Sequence, residues 1–543
     1  MQCSKHNVGD LSRCMRRAGW LLLLGSLLSG CLPGLDWGDD EADNATHANA
    51  QGAPALNRDY KTNFLSLQMP TLGVQSVQAH LMPDIGPSIL DAFYTVESRR
   101  PATVGAPSRF ATATETALGF EPVIMPPAKS LANFYAALSA LAAGRRTQPV
   151  TILHLGDDHI AYDRFAGTLR EHLVGRFGSA GRGLMMPGLF PLRGMQASRG
   201  GQWNLASAAA GVQGPFGITG VRMTSAANDA WMRFTAAPSV FDWAEVTFMT
   251  GPGFGTALVS LDGDTKLVPT QGARPNETTI RVAKKAREIL IKPRGDGPIT
   301  VLSAATGMNS AGIAYSSLGL PGATAWTAEK WTPDFVANDL KKLNPDLILM
   351  EYGTRESFDD GLDLKQYETR LEGVIDLIRQ KAPQASVLIV GPPDAARLPG
   401  FAGSGGGQAC RALNVQEIAT YSRMTERADE RLARWHAPPG LDGVRSAQRQ
   451  AAASAGAYFW DWAKYMGGAC SIHAWASSTP RLAEPDHITL TEAGDSRSAR
   501  ALFAELMAGY DAYQRALQAN AQTLAAAAEV KAAAPAPKKR KVH

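Results

Sequence analysis

Charge of one sign is nearly absent from this chain. Against 54 Lys and Arg stand 50 Asp and Glu, a formal net charge of +4 over 543 residues. So small an excess excludes a strongly basic surface, and no nucleic-acid partner is expected. The apolar stretch "WLLLLGSLL" from Trp20 is too short to span a bilayer comfortably. Cysteine is scarce as well. Of five residues, Cys3, Cys14 and Cys31 lie near the N-terminus, so Cys410 and Cys470 leave room for at most one bridge between them. No internal repeat accounts for the length. What is present is ordinary: 45% hydrophobic and 19% charged residues describe a globular protein, long enough for two or three domains.

The N-terminus carries an address. Arg13, Arg16 and Arg17 precede the apolar stretch, and "LSGC" follows at Leu28 to Cys31. That tetrad resembles the bacterial lipobox, which implies removal of residues 1–30 and lipidation of Cys31. A plain secretory signal with an incidental cysteine is the alternative. Leu32 and Pro33 follow with no Asp, and by analogy with such lipoproteins this favours the outer membrane, facing the periplasm. Export to an oxidising compartment would let Cys410 and Cys470 form a disulfide; two free thiols are the other reading. Residues 31–60 are small, polar and acidic, as in a tether, and 61–125 read as an extended lead-in. Residues 513–543 form an Ala-rich tail ending in the basic run Lys538 to Lys541. In an exported chain that run is a solvated tail and not a nuclear address.

Between these ends the pattern alternates. "SLANFYAALSALAAG" has helical character, with Ser130 as N-cap and Gly144 near its end. "PVTILHL" from Pro149 is a short apolar run suited to a buried parallel strand. A Gly turn follows, then helical spacing in Phe165, Leu169, Leu173 and Phe177. Strand, turn and helix begin an α/β domain over 126–195. Residues 196–305 instead offer short strands such as "EVTFMTG", "TALVSLDG" and "EILIKP" between turn residues, the pattern of an inserted β-sandwich. The α/β character returns over 306–512 with "PDLILMEYGT", a helix and "SVLIVGPP".

Four blocks in order, "LHLGDDHIAYDRFAG", "SSLGLPGA", "MEYGTRES" and "PDHITLTEAG", resemble the SGNH (GDSL) hydrolases. "GSAGRGLMMP" and "YFWDWAKYMGG" extend the likeness to members with a β-rich insert that act on O-acylated envelope polysaccharides. It covers about 146–195 and 300–510. The resemblance implies a flavodoxin-like parallel sheet flanked by helices, with the β-sandwich inserted. It implies a Ser nucleophile after Gly-Asp, a Gly amide and an Asn amide as oxyanion hole, and a late Asp-x-x-His.

Carried over by position, Asp158 stands where the Ser should be, Gly322 at the glycine, Arg355 at the Asn, Asp486 at the Asp and Thr489 at the His. Attack by a carboxylate would give a mixed anhydride, uphill of the ester. Thr489 cannot take a proton near neutral pH, so general-base help of typically ~10²–10⁴-fold is lost. Arg355 keeps its donors but is long and always charged. Asp158 is expected to cap a helix and pair with Arg355.

Two rescues are weaker. A two-residue slip would bring in His487 as a base but leaves no serine to activate. His154, Asp157, Asp158, His159, Asp486 and His487 are metal-ligand types without a standard spacing, so neither a metal nor a cofactor is expected. Trp460, Trp462 and Trp475 would either stack on sugar rings or pack the core.

The resulting expectation is a lipid-anchored envelope protein with a degenerate SGNH site. It would bind or scaffold an envelope or extracellular, O-acylated polysaccharide without hydrolysing it. An active carbohydrate O-acyl esterase or acyltransferase, or a structural partner in exopolysaccharide secretion, are the alternatives; no protein partner can be named from the sequence.

Overall fold

The computed structural model describes residues 127–533, apart from 189–191 and 404–408. Cys31, the tether, the lead-in and the basic run at the C-terminus lie outside the described residues. Among those described, no helix is long and apolar enough to cross a membrane.

One sheet is parallel. Its strands are β1 (Val150–Gly156), β2 (Ile313–Gly319), β3 (Leu347–Glu351), β4 (Ser386–Val390) and β5 (Tyr458–Trp460), ordered β2-β1-β3-β4-β5. This is the doubly wound order, which opens a crevice where the chain reverses direction beside β1. Alternation of side chains along each strand feeds two cores. Val150, Ile152, Leu347, Leu349, Leu388 and Val390 face one side. Leu153, Leu155, Ile348, Met350, Val387 and Ile389 face the other. Because both faces are covered, the strands read as unbroken apolar runs, which is why β1 was visible in "PVTILHL".

Helices cover the two faces. α1 (Ala132–Ala142) brings Phe134, Tyr135 and Leu138 to the first core. It starts after Leu131, and Ser130 instead ends a preceding helical turn, Pro127–Ser130, so Ser130 is not the cap. A short α2 (Asp158–Ala161) and then α3 (Phe165–Phe177) follow β1, with Phe165, Leu169 and Leu173 buried. α4 (Pro333–Leu343), α5 (Thr354–Ser357), α6 (Leu364–Lys381) and α7 (Gly440–Ser454) come next. Helices α4, α6 and α7 pack on the second face through residues such as Leu340, Ile375 and Ala447. The last helix, α8 (Glu492–Ala533), buries Ala499, Leu502, Leu506 and Tyr510 against the first face. Tyr513 still packs on that core, and residues 515–523 are exposed.

Between α3 and β2 the chain builds two antiparallel sheets. One runs Asn276–Ala286, Phe241–Thr250, Ile299–Gly307, Val221–Ser225 and Asn204–Ser207; the other runs Met195–Gly200, Trp231–Ala236, Glu288–Pro293, Thr256–Leu261 and Asp264–Pro269. Met223, Met232, Phe234, Phe248, Val259 and Ile291 form their shared core. Strand alternation is plain in Trp231–Ala236, where every second residue is buried. Gly183–Met185 already pairs with Ile299–Gly307, so the insert's strands begin before residue 196.

Candidate functional site

The end of β1 sets the site. Gly156 has no room for a side chain: a Cβ there would strike Ile160 and Glu351. Asp157 then caps α2, its carboxylate accepting from the His159 N–H at 3.0 Å. The cap is therefore Asp157 and not Asp158, because the helix begins one residue earlier than a cap at Asp158 would require. Asp158 is the first helical residue, and its side chain is left for the crevice.

There it meets Gly322. The Gly322 N–H donates to Asp158 Oδ2 at 2.9 Å. Gly322 has φ +75°, a left-handed backbone suited to glycine, and a Cβ there would lie 3.0 Å from Arg355 Nη1. The turn after β2 and the start of α5 thus bring Gly322 and Arg355 to the same carboxylate. Burial first, and then the neighbouring Asp157, raise the Asp158 carboxyl above its ordinary range. The Gly322 amide, the His159 ring and the Arg355 guanidinium pull the other way.

A cavity of about 250 Å³ opens over these groups. Asp158, Arg355, Thr489, Tyr162, Arg164 and Asp495 are among its lining residues. Thr489 donates its hydroxyl proton to Asp486 Oδ2 at 2.7 Å, and its N–H donates to Asp486 Oδ1 at 2.9 Å. Asp486 thus orders the loop that presents Thr489. Asp158, Arg355 and Thr489 line one crevice at the carboxyl ends of β1 and β3, with Gly322 bonded to Asp158 and Asp486 to Thr489.

Beneath it lies a buried charge cluster that the sequence did not announce. His159 Nδ1 is 3.0 Å from Asp157 Oδ1 and 3.9 Å from Glu351 Oε1, and Nε2 is 3.4 Å from the Ile488 carbonyl. Burial alone would lower the His159 pKa, but Asp157, with Glu351 and Asp495 behind it, raises it to about 10. The ring is an imidazolium at neutral pH. Glu351 is fully buried, and burial followed by Asp157 pushes its carboxyl well above the usual range. Asp157, His159 and Glu351 bring ligand-type atoms within 4.8 Å of one another. Asp157 holds the His159 ring by a charge-assisted hydrogen bond, while both Glu351 carboxylate oxygens are buried without a hydrogen-bond partner. Glu351 was hidden as the last residue of an apolar strand; an acid closing the run "LILME" was its one signal.

Other expected groups lie elsewhere. His487 has its Nε2 2.9 Å from His473 Nδ1 and its Nδ1 2.8 Å from the Pro485 carbonyl, and it stacks on Trp435. It supplies no base to Asp158. His154 is buried against the Tyr315 hydroxyl at 2.8 Å, and burial lowers its pKa to about 3. Trp460, Trp462 and Trp475 are core residues, at most 6% exposed, so their faces are not open to a sugar. Trp462 packs on Phe165 and edge-on to His159, which makes it part of the site's floor. Aromatic residues in a segment leading off a buried strand have a core to fill, and here that demand wins. Cys410 and Cys470 are joined in a disulfide.

The chain matches no protein-family model and no curated protein sequence. Solved structures do resemble it. A peptidoglycan O-acetylesterase is 22% identical, with a TM-score of 0.57 over 72% of this chain and 99% of that one. A GDSL-like lipase from Parabacteroides merdae is 14% identical over 37% of this chain and 73% of its own, with a TM-score of 0.24. An acetyl xylan esterase is 12% identical over 35% and 80%, with a TM-score of 0.23. The last two are too distant to carry any weight. With the parallel order β2-β1-β3-β4-β5 and the inserted sheets, the likeness to the O-acetylesterase settles the architecture: this chain has the SGNH-hydrolase-like fold, with a β domain inserted between its first and second parallel strands.

Proposed function

We propose that this protein binds an O-acylated polysaccharide of the cell envelope, or one secreted beyond it, without hydrolysing it. It does so from a lipid anchor at Cys31 in the outer membrane, facing the periplasm. The observation that carries the reading is the 2.9 Å hydrogen bond from the Gly322 amide to Asp158 Oδ2. In ester hydrolysis that amide must wait for the oxygen that gains charge as the carbonyl is attacked. Here a carboxylate oxygen of the protein itself already occupies the donor. The group in the nucleophile's place therefore does two things against catalysis: it lacks a hydroxyl to deprotonate, and it takes up the donor that the reaction needs.

The base is lost in parallel. Thr489 spends its proton on Asp486, and a threonine hydroxyl accepts none near neutral pH. Arg355 and Asp158 set opposite charges in one cavity, an arrangement suited to holding polar sugar groups. Fold alone would favour the esterase reading; the site argues otherwise, and function belongs to the site. The solved O-acetylesterase supports a polysaccharide as the partner class.

The test is affinity electrophoresis of the mature protein through gels cast with O-acetylated bacterial polysaccharides. Mass spectrometry of the recovered polymer follows. Retardation with the acetyl content unchanged is expected. Loss of acetyl groups would return the protein to the esterases, and free migration in every gel would remove the glycan from the account.

A further inference from the structure

We infer that the pocket reads a free hydroxyl at an unacylated position of that polysaccharide, and that acylation of that same hydroxyl excludes the sugar unit from it. The inference rests on the glycan-binding reading and names which face of the glycan is bound. It follows from the donors and acceptors at Asp158 and Thr489 on the wall of the 250 Å³ cavity, which Arg355 and Arg164 also line as donors.

An acyl ester brings only acceptors. To seat one, a site must offer hydrogen-bond donors to the carbonyl oxygen. In this cavity the Gly322 N–H points at Asp158 Oδ2, and the Thr489 hydroxyl proton points at Asp486 Oδ2. What these two positions now turn toward a ligand is lone pairs. A carboxylate has about four acceptor sites and Gly322 uses one of them. An ester carbonyl pressed against Asp158 would set oxygen against oxygen in a half-buried place. A hydroxyl on the same carbon donates to Asp158 and can accept from the Arg355 guanidinium, whose fork of donors serves more than one partner.

The cavity's mouth suits the rest of a sugar. Tyr162 lines it and is 49% exposed, with the Arg164 guanidinium 5.6 Å from its ring centroid. Arg164 in turn is anchored by Asp495 at 3.2 Å. An exposed aromatic face braced in this way is a platform for the apolar face of a pyranose. Tyr162 and Asp158 thus divide the work: one supports the ring, the other tests a hydroxyl.

The experiment compares matched glycans. O-acetylated peptidoglycan strands, alginate and xylan are each measured by isothermal titration before and after mild alkaline removal of the ester groups. For any glycan that binds, the saponified form is expected to bind about tenfold more tightly, the worth of one hydrogen bond to a charged acceptor. Asp158→Asn keeps the shape but adds a donor, so the preference should collapse toward equality. Tyr162→Ala, at an exposed position, should weaken both forms alike. Tighter binding of the acetylated form by the wild-type protein would overturn the inference and leave the glycan-binding reading standing. An unchanged preference in Asp158→Asn would remove Asp158 from it. Binding of neither form in any pair would overturn both the inference and the reading beneath it.

Discussion

Glu356 shows how far single residues are bent to serve this crevice. It is 2% exposed, and its Oε1 accepts the Ala325 N–H at 2.9 Å. Burial is the main cause that raises its carboxyl from 4.5 to about 7. A raised folded-state pKa means the native protein holds a proton that the unfolded chain releases. The stability contribution is therefore complete below about 4.5 and is lost as pH rises through about 7. Glu356→Gln, a neutral group of the same shape, should abolish that part of the dependence. Urea unfolding at pH 4.5 and pH 8 should show the variant gaining on the wild type at the higher pH; parallel behaviour of the two proteins would refute the assignment. The same scale explains what could be read beforehand. Gly322, Arg355, Asp486 and Thr489 were legible because ordered blocks carry position. The capping expected of Asp158 falls to Asp157, since the one-residue choice between them depends on where α2 begins. Glu351 was illegible because its neighbour Gly156 sits in another strand, joined to it only by the parallel register of β1 and β3.

At the scale of elements, the turn between α2 and α3 has to be held open for the site to exist. Asp163 does this from a left-handed conformation, φ 55°, with no exposure to solvent. Its carboxylate accepts from Arg170 at 2.9 Å, from Arg182 at 3.0 Å and from the Arg193 N–H at 2.9 Å. One residue therefore ties α3 to the segments leading into the inserted sheets. Asp163→Asn tolerates the backbone but strands buried guanidinium groups, at a cost of about 3–5 kcal/mol. A loss of that size in the unfolding free energy from chemical denaturation is the expected result; a change near zero would mean the arginines are satisfied without it. The elements themselves were legible where burial makes a pattern. Both-face burial wrote β1 and β4 as apolar runs, and one-face burial wrote the alternation of the insert. Ser130 was misread because a serine before an apolar period is a common cap, while here a separate turn ends at Ser130 and Leu131 breaks it from α1. An aromatic residue near a strand end serves a core or a ligand equally well, and packing of Trp460 and Trp462 on Phe165, with burial of Trp475, decides for the core.

At the scale of the whole molecule, two claims meet: where the protein sits and what it does there. Lipidation at Cys31 predicts that Cys31→Ala removes the protein from the outer-membrane fraction and changes its mobility in gels. Unchanged fractionation would mean that the body is retained by something other than a lipid. The body itself follows the doubly wound rule, with its crevice at the carboxyl ends of β1 and β3, so Asp158 stands where ligands bind in folds of this order. Everything then depends on Asp158 filling the place of the oxyanion. The measurement that tests this most directly is the initial rate of acetate release from a small acetyl ester by the purified mature protein, set against Asp158→Ala prepared in parallel. No release above the blank is expected for either protein. Release by the wild type that disappears in Asp158→Ala would contradict it.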